Sequence, residues 1–90
     1  MYDYQNIRDQ IFTDRGQRDY LRIWKHVEKM LAKTGAFRMK EIQDAPVSLG
    51  KNGGWYRMAL VDRMVELGEI RELTPTGTSG QDRVFVTTKS

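Results

Sequence analysis

The chain has 90 residues, and its 15 Lys and Arg against 12 Asp and Glu give a formal net charge of +3. A chain of this length can bury one hydrophobic core but not two, so we predict one domain. No run approaches the roughly 18 apolar residues of a membrane span, and the chain does not open with a secretion signal, so we expect a cytoplasmic protein with no membrane partner. Without cysteine, and with His26 as its single histidine, the chain lacks the usual zinc ligands, and we expect neither metal nor cofactor.

The first 13 residues are predicted to form either a short helix or a partly ordered arm in front of the domain, which covers residues 14–90. Asp3 is a candidate N-cap for such a helix. Four apolar side chains recur at helical spacing after it: Tyr4, Ile7, Ile11 and Phe12. This spacing fits both alternatives, and both stay open.

The longest predicted helix begins at Thr13 or Asp14, runs to about Lys33 and ends at Gly35. One face is apolar: Tyr20, Ile23, Trp24, Val27, Met30 and Leu31. The opposite face carries six basic side chains within an arc of about 80° and no carboxylate inside that arc: Arg15, Arg18, Arg22, Lys25, Lys29 and Lys33. Because like charges at this spacing repel, two interpretations stay open. The face is either a solvated helix back or a surface for a phosphate backbone or an acidic protein.

A short strand, a short helix and a glycine-rich loop are predicted next. Residues 36–38 form a single β-bridge with Phe37 turned inward, and residues 39–44 form a helix with Met39 and Ile42 inward. Ala45-Pro46 ends this helix, since the residue before a proline avoids the helical region. The loop over residues 47–54 holds three glycines with Lys51 and Asn52. It is either a phosphate cradle beside a helix N-terminus or a flexible turn.

A central helix is predicted over residues 55–67, and Gly68 supplies the left-handed residue at its end. Its apolar stripe consists of Met58, Leu60, Val61, Met64, Val65 and Leu67. Five residues are predicted to point away from this stripe: Trp55, Ala59, Asp62, Arg63 and Glu66. Since Asp62 and Glu66 repel phosphate, the front of the helix suits DNA better than its rear. Trp55 either stacks on a base or sugar, packs in a partner's groove or covers the N-terminal segment.

Two strand-like runs close the chain. The first contains Ile70 and Leu73 among charged residues, and in the second Val84 and Val86 alternate with Phe85 and Thr87. The loop between them is polar and holds glycine and proline. We predict a β-hairpin with a mobile tip.

The order helix, short strand, helix, helix, strand, loop, strand resembles a winged helix-turn-helix domain over residues 20–88. The best local match is Ala59-Leu60-Val61-Asp62-Arg63-Met64-Val65-Glu66-Leu67-Gly68-Glu69-Ile70. This run is similar to the recognition-helix and first-wing-strand segment of MarR-type and related bacterial or phage regulators. The resemblance implies an α+β fold with a three-helix core and a small antiparallel β-hairpin wing. It makes residues 55–67 the recognition helix, residues 39–44 the supporting helix and residues 74–82 the wing.

The chain departs from the pattern of these regulators in three ways, the first of which is that we expect no long flanking helices of the kind that form a MarR-type dimer. The connection over residues 45–54 is longer than the three- or four-residue turn of simple helix-turn-helix units. The wing tip has no arginine or lysine, which leaves Arg83 at its base.

The resemblance implies a DNA-binding protein, such as a small transcriptional or replication regulator, with double-stranded DNA as its partner. The alternative is a winged-helix protein-interaction module or accessory subunit that binds no DNA. No arrangement of nucleophile and base points to an enzyme. We predict DNA contacts from the loop, the two helices and the wing: Lys51, Asn52, Trp55, Arg57, Arg63, Arg38, Lys40, Thr76, Thr78, Ser79 and Arg83. The six basic residues of the long helix are a second candidate surface.

Overall fold

A computed structural model of the chain describes residues 7, 9–49, 53–73 and 80–88. These residues contain three α-helices and a three-stranded antiparallel sheet. In chain order the elements are a 3-10 turn (Gln10–Phe12), α1 (Asp14–Thr34), β1 (Ala36–Arg38), α2 (Met39–Gln43), α3 (Gly54–Glu66), β2 (Ile70–Glu72), a second 3-10 turn (Gly80–Asp82) and β3 (Val84–Thr87). The α+β class predicted from the sequence is confirmed. None of the helices in this part of the chain is long and apolar enough to cross a membrane.

Thr13 and Gly35, which the sequence predicts at the two ends of the long helix, cap α1. The Thr13 side chain accepts a hydrogen bond from the Gly16 N–H at 3.1 Å, which caps the first turn. At the other end Gly35 has a φ of 79°, and its N–H donates to the Leu31 carbonyl at 2.8 Å. The predicted inner face is confirmed, because Ile23 and Val27 are fully buried and the rest of that face packs against the core.

The N-terminal segment packs directly on α1 at Gly16. A Cβ built on this glycine would lie 2.4 Å from the Gln10 carbonyl oxygen and 2.5 Å from the Ile11 backbone. Ile11 is buried in the core, and Ile7 packs against it. The backbone is helical at Ile7 and Asp9, but residues 1–6, with Asp3 and Tyr4, lie outside the part that the structure describes.

The sheet has the strand order β1-β3-β2, so the strand before α2 joins the hairpin that follows α3. The predicted single bridge over residues 36–38 is a three-residue strand, in which Phe37 lies opposite Phe85. The two rings stack with their centroids 5.2 Å apart, and both side chains are buried. On the other side of β3, Glu72 lies opposite Phe85. The residues of the hairpin tip from 74 to 79 are not among those described.

Helix α3 is buried on more of its circumference than the sequence predicts. It contacts α2, β2 and the N-terminal 3-10 turn. Its buried residues are Tyr56, Met58, Ala59, Leu60, Val61, Asp62 and Met64. The prediction that Ala59 and Asp62 face solvent is therefore wrong, and so is the inward position predicted for Leu67, which is 51% exposed. Ala59 and Asp62 are buried because neighbouring elements cover both sides of the predicted apolar stripe. Leu67 is exposed because it lies beyond the end of the helix.

Candidate nucleic-acid interface

Six basic side chains form one exposed face along α1. We call this set the basic face: Arg15, Arg18, Arg22, Lys25, Lys29 and Lys33, all exposed. Its first and last members, Arg15 and Lys33, are 18 positions apart, which corresponds to about 27 Å of helix at 1.5 Å per residue. Among the residues that the structure describes, Arg22 is the one member with an ion pair, at 3.8 Å from Asp19. The other five carry charge that no described carboxylate neutralises.

The acidic residues of α1 do not interrupt this face. Asp14 and Glu28 are exposed but lie outside the arc, while Asp19 is 1% exposed and belongs to the interior. The Tyr56 hydroxyl on α3 donates a hydrogen bond to the Asp19 carboxylate at 2.6 Å. Burial raises the pKa of Tyr56, and the hydrogen bond to Asp19 raises it further, so the phenol stays protonated at neutral pH. The Asp19 carboxylate therefore joins α1 to α3.

Arg57 was predicted to contact DNA from α3. Its side chain instead hydrogen-bonds to backbone carbonyls of residues that precede α3. Its Nη1 donates to the carbonyls of Ile42 at 2.7 Å and Ala45 at 2.8 Å, and its Nη2 donates to that of Val47 at 2.9 Å. These bonds fasten the long connection between α2 and α3 to the start of α3. The structure thus gives Arg57 a role in the fold, and we leave it out of the proposed DNA surface.

Arg83, predicted to contact phosphate at the base of the wing, is 7% exposed. Its Nε donates to Glu72 at 2.8 Å, and its Nη2 lies 2.7 Å from carboxylate oxygens of both Asp62 and Glu72. The guanidinium also stacks over the Phe85 ring at 5.1 Å. The hydrogen bond with Glu72 raises the pKa of Arg83 above its usual value, so the group is charged at every pH at which the protein is folded.

This burial corrects two predictions. Arg83 cannot reach a phosphate from the interior, so its assignment as a phosphate contact is withdrawn. Asp62 was predicted to repel DNA from the rear of α3, but its carboxylate is 4% exposed and bound to Arg83. The Asp62 carboxylate is therefore absent from that surface, whereas Glu66 stays exposed there and lies 3.4 Å from Arg63.

The remaining predicted contacts are spread over other surfaces. Trp55 is 51% exposed in the first turn of α3. Arg63 lies 3.4 Å from Glu66 and 5.0 Å above the Phe12 ring. Five others lie outside the described residues: Lys51, Asn52, Thr76, Thr78 and Ser79.

Arg38 and Lys40 form a smaller exposed basic pair near α2. Arg38 is the last residue of β1 rather than part of the helix, and it lies 3.9 Å from Glu41. Lys40 lies 3.3 Å from Asp44. Exposed ion pairs of this kind contribute only about 0–1 kcal/mol, so they do not prevent contact with a phosphate. They do cancel the local net positive charge, since each of the two cations has its own carboxylate.

The chain matches no protein-family model, no curated protein and no solved structure. In the described part of the chain, no three His, Asp or Glu side chains are grouped so as to hold a metal ion. Functional inference therefore depends on the surface of the protein, and the basic face is its largest single-sign feature among the residues described above.

Proposed function

We propose that this chain is a small DNA-binding protein of the winged-helix type, acting as a transcriptional or replication regulator, and that it binds duplex DNA mainly through the basic face of α1. The observation that carries the proposal is the row of exposed cations over about 27 Å of one helix. Five of these six cations form no ion pair with a residue that the structure describes, and the sixth, Arg22, lies 3.8 Å from Asp19. Each DNA strand carries one phosphate per about 3.4 Å of duplex axis, so a row of this length can meet several of them.

The order of elements supports the winged-helix part of the proposal. A helix, a short strand and two helices are followed by a hairpin whose second strand, β3, pairs with the first strand, β1. This order is typical of winged-helix domains, in which the last helix of the core reads base edges.

The burial of α3 favours contacts with the DNA backbone over base reading. Seven of its 13 residues are buried, which leaves little side-chain surface for a groove. Phosphate contacts position a protein on DNA but carry no sequence information. We therefore propose weak sequence preference for the described surface.

Chemical-shift mapping of the labelled protein with a short DNA duplex tests the proposal. The spectra are recorded at low salt and again at about 200 mM salt, because phosphate contacts weaken steeply over this range. We expect shifts along residues 15–33 that fade as salt is added. Shifts confined to residues 54–63 would move the site to α3, and the absence of shifts at low salt would overturn the proposal.

A protein-interaction module is the second candidate, and the exposure of Trp55 favours it. This indole is 51% exposed at the start of α3, and tryptophan is enriched among the residues that dominate protein interfaces. If this candidate holds, Trp55→Ala removes binding to the partner, and added salt changes that binding little.

A further inference from the structure

A second surface lies where the N-terminal turn, α1 and the end of α3 meet. It is a groove of about 310 Å³, whose walls include Phe12, Tyr20, Leu21, Arg63 and Leu67. Three of these side chains are both large and exposed: Phe12 at 51%, Leu21 at 57% and Leu67 at 51%. Single exposed apolar residues are normal on a protein surface, but a contiguous group is typical of a binding site.

The rim of this groove on α1 is positively charged. Arg18 and Lys25 stand three residues before and four residues after Leu21, so they are its neighbours on the helix surface. Both are exposed, and neither has an ion pair to a residue that the structure describes. The nearest exposed carboxylates of α1, Asp14 and Glu28, are each seven residues from Leu21, or about 10 Å along the helix.

The opposite wall carries both signs of charge. Arg63 lies over the Phe12 ring and is 3.4 Å from Glu66, so its charge is balanced locally. Burial and then the charge of exposed Glu69 raise the pKa of Tyr20 in the groove, so carboxylates lie on this side rather than on the rim of α1. The groove therefore combines an apolar floor with one cationic rim.

We propose that this groove binds an amphipathic, acidic helical segment of another protein. Apolar side chains of that segment insert between Phe12, Leu21 and Leu67, and its carboxylates bind Arg18 and Lys25. This is the helix-in-groove mode of recognition, in which affinity comes from a few apolar anchors. Charge complementarity selects the acidic partner, because a basic segment is repelled by the same rim.

The position of the rim links this partner to DNA. Arg18 and Lys25 also belong to the basic face, so the acidic segment and a phosphate backbone compete for the same cations. This competition rests on the proposed DNA binding, whereas the binding of the segment does not. The acidic partner thus regulates DNA binding by displacing the duplex.

Selection from a display library of random peptides on the full chain tests the proposal. Peptides of about 16 residues are long enough to form a helix of about 24 Å. We expect enriched sequences to carry apolar residues at three- and four-residue spacing among Asp and Glu. Their binding should fall at least about tenfold in Leu21→Gln, as for truncation of an interface anchor. The matched control is Leu73→Gln, which replaces a leucine of similar exposure, 55%, that does not line the groove.

The other outcomes overturn the proposal. These are a selection without enrichment, binders of basic or neutral composition, and binders that tolerate both Leu21→Gln and Arg18→Glu. Concentration-dependent dimerisation that Leu21→Gln abolishes would assign the groove to a second copy of the chain. If a selected peptide binds the groove but the protein has no affinity for DNA, only the proposal of DNA binding is refuted.

Discussion

The Nη2 of Arg83 lies 2.7 Å from an Asp62 carboxylate oxygen on α3 and equally close to Glu72 on β2. One buried cation therefore joins the base of the hairpin to the central helix. The two carboxylates share this one cation, so both depend on Arg83 for compensation in the interior. This polar cluster thus holds the base of the hairpin against α3, while the stacked Phe37 and Phe85 rings join β1 to β3.

Replacing Arg83 by methionine should lower the free energy of unfolding by about 3–5 kcal/mol, because it leaves two carboxylates without their cation. Arg83→Lys should lose part of this amount, since an ammonium keeps the charge but not the two-pronged geometry. Urea denaturation of both variants measures the effect. Arg71→Met, at an exposed arginine of β2, is the control and should change stability by less than about 0.5 kcal/mol. Equal stabilities of Arg83→Met and Arg71→Met would contradict the role of the cluster.

Gly16→Ala should lower the free energy of unfolding by about 1–3 kcal/mol, because the new methyl group collides with the backbone of the N-terminal turn. The contacts involved, 2.4 Å to Gln10 and 2.5 Å to Ile11, are to main-chain atoms that cannot rotate away. The same substitution at Gly54, where a Cβ meets only the Gln43 side chain from 3.4 Å outward, is the control. Thermal melts compare the two. A Gly16→Ala protein as stable as Gly54→Ala would show that the N-terminal turn does not pack on α1 as described.

Tyr56 should make the protein sensitive to alkaline pH. Its pKa in the folded state is raised above the ordinary 10.0, first by burial and then by the hydrogen bond to Asp19. The folded state thus holds the proton more tightly than the unfolded state, and this contribution to stability is complete below pH 10 and lost as the pH rises further. The stability difference between wild type and Tyr56→Phe should therefore be constant up to about pH 10 and shrink by about pH 11.

Urea denaturation of the two proteins at a series of pH values measures this difference. Tyr20, whose pKa burial also raises, is present in both proteins and cancels in the comparison. A difference that is constant across the alkaline range would contradict the buried Tyr56–Asp19 contact.

Arg57→Ala should destabilise the protein without weakening its intrinsic affinity for DNA. The guanidinium binds one carbonyl near the end of α2 and two carbonyls of the connection that follows it, and hydrogen bonds to a charged group contribute about 1.5–3 kcal/mol. Unfolding and DNA titration, both at a temperature where the variant is folded, separate the two effects. Lys40→Ala, at an exposed lysine outside this network, controls for the loss of one positive charge. A variant of unchanged stability and clearly reduced affinity would return Arg57 to the DNA surface.

Features with a local cause could be predicted from the sequence. Thr13, Gly35 and Gly68 mark helix ends through bonds and backbone angles that involve only nearby residues. The basic face is likewise a matter of spacing within one helix, and its six members are all exposed. Strand β3 followed from the alternation of apolar residues, whereas β1 was expected only as a single bridge.

Features that join distant parts of the chain could not be predicted. Asp62 is a polar residue outside the predicted apolar stripe of α3, so its sequence position favours exposure. No neighbouring residue in the sequence indicates that Arg83, 21 residues later, binds its carboxylate in the interior. Asp19 is buried because Tyr56, 37 residues away, donates to it. The sequence makes Arg57 a plausible phosphate contact, but in the fold its guanidinium binds the carbonyls of Ala45 and Val47 in the preceding connection. In each case the tertiary partner, rather than the residue's own helix position, decides burial.

The salt dependence of DNA affinity in matched charge variants tests the central claim most directly. If all six cations of the basic face meet phosphates, the slope of log affinity against log salt should be about −5 for the wild type. Neutralising three of them with Arg18→Gln, Lys25→Gln and Lys29→Gln should reduce the magnitude of that slope by about 3. The control protein carries Arg38→Gln, Lys40→Gln and Arg71→Gln, which remove equal charge from exposed sites outside α1. We predict that the control keeps the wild-type slope, and a control that loses the slope while the α1 variant retains it would contradict the claim.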